Sequence, residues 1–204
     1  KTTLNFEPME GLIMDYPLTT TTILEYGNSV YHHKKIISYL PNGSREEYTF
    51  GNMYKRCKKL ANALTQKLGI TKGDLVGTFA WNHGPHVELY YGISGVGAVC
   101  HTINIRLSSN QIEYIINNSE DKVIFVDATL VPLLEKIAPL LETVKHYVLI
   151  NATEDFKTTL PNTIHYEALL AEQSGDFEWP VLNEKDACGL CYTSGTTGLP
   201  KGVL

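Results

Sequence analysis

Between Tyr192 and Gly202 the chain reads Tyr-Thr-Ser-Gly-Thr-Thr-Gly-Leu-Pro-Lys-Gly, eleven residues that combine hydroxyls, pliable backbone and one ammonium group. These are the ingredients of a loop that wraps polyphosphate. Gly195, Gly198 and Gly202 admit backbone angles closed to other residues and bare their N–H groups. Thr193, Ser194, Thr196 and Thr197 supply hydroxyl donors for phosphate oxygens, and Lys201 adds the compact positive charge that suits a β- or γ-phosphate in a nest of amides. The order is not that of the common nucleotide loop, which needs glycine, four residues, then Gly-Lys-Ser/Thr. Counting from Gly195 puts Pro200 where that pattern demands glycine, and Gly202 follows the lysine in place of a hydroxyl residue. A short Gly/Thr cluster on its own reads equally well as a solvated turn. Position argues for chemistry: the apolar run Ala187–Tyr192 reads as a buried strand, so the polar residues emerge where a strand gives way to a turn.

The elements that must hold this loop lie upstream. Lys72-Gly73-Asp74 turns the chain into a strand over Leu75–Ala80, and Gly84-Pro85 opens a helix that runs to about Gly97. Ala98–Thr102 is the next strand. Ser108 and Gln111 then form a capping box, with Leu107 placed to staple onto Ile112. Val123–Val126 is wholly apolar, Leu130–Leu141 has helical periodicity broken near Pro139, and Val144–Ile150 is apolar again. This alternation predicts an α/β fold, a parallel sheet flanked by helices with right-handed connections. Ahead of it Thr49 caps a helix whose apolar side includes Met53, Cys57, Leu60 and Leu64, closed by Gly69. Val30–Tyr48 alternates around Pro41-Asn-Gly43, which predicts a small antiparallel hairpin. Up to about Tyr39 the chain reads as an irregular lead-in, with a short helical pattern beginning at Ile23 and Leu24. After Ile150, Asn151–Pro161 is loop-like, Tyr166–Gln173 is a short helix, and Gly175–Lys185 is a connector to the phosphate loop. The expected division is 1–48, lead-in and hairpin offering a dimer contact, and 49–204, the α/β layer.

Composition excludes several classes. With 204 residues, 43% hydrophobic and 19% charged, a sizeable core can form. A net charge of -5 and scattered Lys and Arg leave no basic field for nucleic acid. No apolar stretch approaches the roughly 18–20 residues of a membrane span, and Lys1–Pro8 lacks the plan of a secretory signal, so a soluble, cytoplasmic chain is expected. Cys188-x-x-Cys191 could suggest a metal or redox site, but residues three apart in a strand face opposite ways and no second pair stands nearby. Four buried, reduced thiols are expected, Cys57 and Cys100 included. Adjacent His32 and His33 cannot chelate one ion from an extended backbone, and no metal constellation is visible. Because the chain starts at Lys1 and stops at Leu204, soon after the loop, it reads as a piece of a longer protein.

The full order Thr193–Lys201 resembles the phosphate-loop signature of the adenylate-forming superfamily. Asn82-His83, Gly97–Leu107, Asn117–Asp127 and Ala187–Gly202 look like the corresponding stretches of fatty-acyl-CoA synthetases, with the strongest likeness to bacterial medium- and long-chain types. The likeness runs from Tyr48 to Leu204; the loop marks the superfamily, and His101-Thr-Ile-Asn-Ile-Arg106 narrows it to the fatty-acyl branch, although proline usually stands at Ile105. The resemblance implies attack of a carboxylate on the α-phosphate of Mg-ATP, giving acyl-AMP and pyrophosphate, and then displacement of AMP by coenzyme A. It implies that Thr193, Ser194, Gly195, Thr196, Thr197, Gly198 and Lys201 clamp the phosphates, with Thr196 the hydroxyl on Mg²⁺. Fatty acid and CoA would be the small-molecule substrates, and some members of that branch pair through the N-terminal region. The adenine contacts, the acidic magnesium ligand, most of the acyl pocket and the mobile C-terminal domain would lie beyond Leu204, so the isolated chain is expected to lack ligase activity. Two rival readings stand beside this one: an acyl-AMP ligase that loads a carrier protein, and a non-catalytic dimerisation or interaction module. Four further polar residues merit placement. Asn82 and His83 follow the strand ending at Ala80, at the edge where open α/β sheets bind ligands. His101 reads as a hydrogen-bonded core residue, and Arg106 as a holder of its neighbouring loop.

Overall fold

Val123-Ile-Phe-Val126 offers water no polar side chain, so both of its faces need cover. The computed structural model, which describes residues 11–12, 14, 16–40, 42–193 and 198–204, supplies it. The elements in chain order are α1 (Thr20–Tyr31), β1 (Lys35–Tyr39), β2 (Arg45–Thr49), α2 (Phe50–Asn62), β3 (Leu75–Phe79), α3 (Gly84–Gly95), β4 (Val99–Thr102), α4 (Ser109–Ser119), β5 (Val123–Asp127), α5 (Val131–Glu135), β6 (His146–Ile150), β7 (Thr163–His165), α6 (Tyr166–Ala171), β8 (Gly189–Thr193) and β9 (Lys201–Val203). Seven of the described strands form one sheet in the order β7-β6-β5-β3-β4-β8-β9, parallel throughout except for β9 against β8. Val123 and Phe125 face a layer holding Leu60, Leu64, Leu89, Ile93 and Leu169, from α2, α3, α6 and the turn after α2. Ile124 and Val126 face Ile112, Ile115, Ile116, Val131 and Leu134 of α4 and α5. Each such side chain, fully buried, contributes about 1.5–3 kcal/mol, and alternation along the strand shares that gain between two helical layers.

Local signals set the ends of these elements. Thr49 Oγ1 accepts the Asn52 N–H at 3.2 Å to start α2. The Ser108–Gln111 capping box forms at the start of α4, with Gln111 Oε1 accepting the Ser108 N–H at 3.1 Å. Gly69 and Gly97 close helical segments at φ +65° and +82°, a region that L side chains avoid. The hairpin of β1 and β2 is antiparallel, and its Asn42 Oδ1 accepts the Ser44 N–H at 2.9 Å.

Four expectations need correction. Val30 and Tyr31 end a twelve-residue helix instead of opening the hairpin, and the lead-in is helical from Thr20. Consecutive threonines and Gly27 are poor helix formers, but Leu24 is buried with Met53 and Cys57, and Thr20 Oγ1 bonds Ser94 Oγ at 2.8 Å, so packing overrides propensity. After α2 the backbone widens into one π-helical turn, Ala63–Lys67, before Gly69 stops it. The run Ala187–Tyr192 is not uniformly buried: β8 begins at Gly189, and only Leu190 is fully enclosed, because β8 stands outside the helix-covered centre of the sheet. For the same reason the thiols divide, with Cys57 and Cys100 buried and Cys188 and Cys191 exposed. Burial pushes the Cys57 thiol well above its ordinary value and that of Cys100 up to about 12. No helix of the described residues is long and apolar enough to cross a membrane.

Candidate functional site

In a parallel sheet all strands discharge their chains at one edge. Here β3, β4, β5, β6 and β8 run parallel, so their last residues, Phe79, Thr102, Asp127, Ile150 and Thr193, share that edge. Neighbouring β4 and β5 lie on opposite sides of β3, and a reversal of this kind opens a crevice at the carboxyl ends. In the chain, the Gly- and Thr-rich segment stands between β8 and β9. Thr193 and Lys201 face each other as the last strand pair before it, Thr193 Oγ1 lying 3.5 Å from the Lys201 carbonyl oxygen, and both residues are exposed. Gly198 has open space where a Cβ would stand. Ser194, Gly195, Thr196 and Thr197 lie outside the described residues. The stem therefore brings Thr193 and Lys201 together as a strand pair at the carboxyl edge of the sheet.

Of the other polar residues, His83, His86 and His101 are structural anchors. His83 is buried; its Nδ1 accepts the His86 N–H at 3.2 Å, capping α3, which leaves Nε2–H to donate to Asp127 Oδ2 at 2.7 Å. The same carboxylate oxygen accepts the Trp81 N–H at 2.9 Å, and Asp127 Oδ1 accepts from Asn151 Nδ2 at 3.1 Å. Asp127 thereby ties together the chain leaving three strands. His86 bonds Thr78 Oγ1 at 3.0 Å through Nε2, and burial lowers its pKa. Asn82 is exposed and lines a groove with Ile37, Tyr39 and Tyr90 between the hairpin and α3. Arg106 is exposed, and its N–H donates to Asn104 Oδ1 at 3.0 Å within its own loop. His101, fully buried, lies 2.6 Å from Asp121 Oδ2 through Nδ1. Burial raises the Asp121 pKa, with His101 opposing the shift.

A cavity of about 730 Å³ opens between β2, α2 and α3 and reaches Asn151 at this edge. Its most buried charge, Glu88, is already neutralised by Arg56 Nε at 2.7 Å and bonded by Tyr166 OH at 2.7 Å, while Arg56 also grips Glu167. Burial opposes the Arg56 charge, but Glu167 and Glu88 outweigh it and hold its pKa above the ordinary value. These charged groups satisfy one another, while the buried Tyr48 hydroxyl in the same lining has no hydrogen-bond partner among the described residues. Sequence reasoning passed over Asp127 and Asp121 as individual residues. For Asp127 the signal was present, since it directly follows the apolar run Val123–Val126.

A parallel α/β layer with a Gly- and Thr-rich hairpin at its carboxyl edge defines the N-terminal layer of an adenylate-forming enzyme. The same architecture stands in the crystal structure of an anthranilate CoA ligase in complex with anthranoyl-AMP, at a TM-score of 0.80 and 27% identity over 93% of this chain and 35% of that one. Residues 25–204 match the model of the AMP-binding enzyme family, and to that family this chain belongs. It is 42% identical over 197 residues to a 3-methylmercaptopropionyl-CoA ligase of Ruegeria lacuscaerulensis, covering 96% of this chain and 36% of the relative. It is 39% identical, with the same coverage, to a medium-chain-fatty-acid–CoA ligase of Ectopseudomonas oleovorans. The chain thus spans about a third of the length of these curated relatives.

Proposed function

We propose that this chain is the phosphate-gripping N-terminal region of an ATP-dependent fatty-acid:CoA ligase of the cytoplasm. The observation that carries the reading is the stem geometry, with Thr193 and Lys201 paired at the edge where the parallel strands end. The triphosphate of ATP repels an incoming carboxylate, so donors around its β- and γ-phosphates must take up charge as pyrophosphate departs. Lys201, the hydroxyls of Thr193, Ser194, Thr196 and Thr197, and the backbone N–H groups of Gly195 and Gly198 are the donors assigned to that task. Mg²⁺ enters with ATP as part of the substrate, and Thr196 is the hydroxyl assigned to it. Coenzyme A then takes the acyl group. Support for a carboxylic acid acceptor comes from relatives named as CoA ligases of medium-chain fatty acids and of 3-methylmercaptopropionate, and support for a fatty acid from the first of these. On this reading residues 1–48 offer a dimer contact, and the 204-residue chain alone does not make acyl-AMP.

The test is Lys201→Ala in the full-length enzyme, followed by ATP–pyrophosphate exchange. Loss of one charge-stabilising donor should slow adenylation about a hundredfold while the far-ultraviolet circular dichroism spectrum is unchanged. A wild-type exchange rate would remove the phosphate role of this lysine.

A further inference from the structure

Tyr192, next to Thr193 on β8, is gripped on three sides. Its ring centroid stands 5.3 Å from that of His101, at an interplanar angle of 49°. Its hydroxyl donates to Asn118 Oδ1 of α4 at 2.7 Å. It also overlies its strand partner Gly202, where a Cβ would come within 3.3 Å of Tyr192 Cζ. One ring therefore touches both stems of the loop, at the pair adjoining Thr193 on one strand and Lys201 on the other.

The support beneath this ring is built at some cost. His101 Nδ1 lies 2.6 Å from Asp121 Oδ2 and 3.2 Å from Ser119 Oγ, and His101 and Asp121 are both 0% exposed. Asp121 rests on Gly77 of β3, where a Cβ would stand 3.2 Å from its Oδ2. His101 Nε2 and Asp121 Oδ1 are buried with no hydrogen-bond partner among the described residues. Apolar residues of equal volume would fill this space more favourably than two ionisable side chains. What they would lack is a directed bond that holds the imidazole ring at one angle against Tyr192.

We infer that Tyr192, seated on the His101–Asp121 pair, is a positioning residue for the phosphate loop. It fixes the separation and direction of the two stems, and it governs affinity for the triphosphate rather than for the carboxylate. The inference rests on the loop being the triphosphate site.

In the intact enzyme, Tyr192→Phe, Asn118→Ala, the two combined, and Tyr192→Leu are compared by pyrophosphate exchange, with Lys201→Ala as reference. Tyr192→Phe and Asn118→Ala should each raise KM for ATP by about three- to tenfold, the worth of one hydrogen bond. The double variant should be no worse than either, because both changes remove the same contact. Tyr192→Leu should raise it further, and KM for the carboxylate should stay within about twofold throughout. Asn118 is exposed on α4, so its replacement cannot act through a damaged core. An unchanged KM for ATP in both single variants, or one that rises in step with that for the carboxylate, overturns the inference. Lys201→Ala separates the two readings. If it leaves both the exchange rate and KM for ATP unchanged, the triphosphate assignment fails; if it slows exchange or raises KM for ATP while Tyr192→Phe and Asn118→Ala do not raise that KM, only the positioning role fails.

Discussion

Replacing Asp127 separates what its charge contributes from what its shape contributes. The side chain is buried, and one oxygen, Oδ2, accepts from both the Trp81 N–H at 2.9 Å and His83 Nε2–H at 2.7 Å. Asparagine with its carbonyl oxygen in that place keeps both bonds. Its NH₂ then meets Asn151, now 3.1 Å from Oδ1, and the Asn151 amide turns over to accept instead of donate. Only charge assistance is lost, about 1–2 kcal/mol. Alanine instead strands the His83 N–H in a buried site and leaves the Trp81 N–H without its acceptor, while the exposed Asn151 amide turns to water, a loss of about 2–5 kcal/mol. Scanning calorimetry of the intact enzyme should rank wild type above Asp127→Asn and that above Asp127→Ala, with the second drop the larger. An asparagine variant as unstable as the alanine one would refute the geometric argument.

Two further outcomes follow from packing and charge. A Cβ at Gly92 would stand 2.4 Å from Leu60 Cδ2 and 2.9 Å from its Cγ in a fully buried contact between α2 and α3, so Gly92→Ala should destabilise by about 1–2 kcal/mol despite alanine's better helix propensity. In a Leu60→Ala background the obstruction is gone and the same substitution should stabilise; a loss in both backgrounds, read from urea midpoints, would contradict this. Asp74 lies 2.6 Å from Lys122 Nζ and accepts from the Thr71 N–H and hydroxyl; burial pushes its carboxyl up, but Lys122 and Thr71 outweigh it and hold it below the ordinary value. A depressed folded-state pKa gives stability that is present above about pH 4 and lost as pH falls through the folded value. Asp74→Asn should therefore lower the melting temperature at neutral pH, and its deficit should close progressively in acid; a deficit independent of pH would count against the pair.

The central sheet could be read from the chain because its strands are apolar on both faces and its turns carry glycine at the positive φ positions, as at Gly69, Gly73 and Gly97. The caps at Thr49 and Ser108 were readable for the same reason, since capping is local chemistry. Long-range packing was not readable. Helix α1 exists because Leu24 finds Met53 and Cys57, a meeting no window of sequence records. The exposure of Cys188 and Cys191 follows from the place of β8 outside β4, which is a matter of strand order and not of composition. At the site, the hydroxyls and the lysine announced themselves by type. The dependence of Tyr192 on His101 and Asp121 did not, because the three residues come from different elements that only the finished sheet brings together.

The parallel docking of β8 on β4 also bears on how the molecule is made. Cys100 and His101 meet Gly189 and Leu190, so that flank of the sheet stays open while the ribosome synthesises everything between them. An open flank invites mispairing, and the brevity of β4, four residues, limits the invitation. On the reading proposed above, a nascent chain gains its grip on ATP only once β8 has docked on β4.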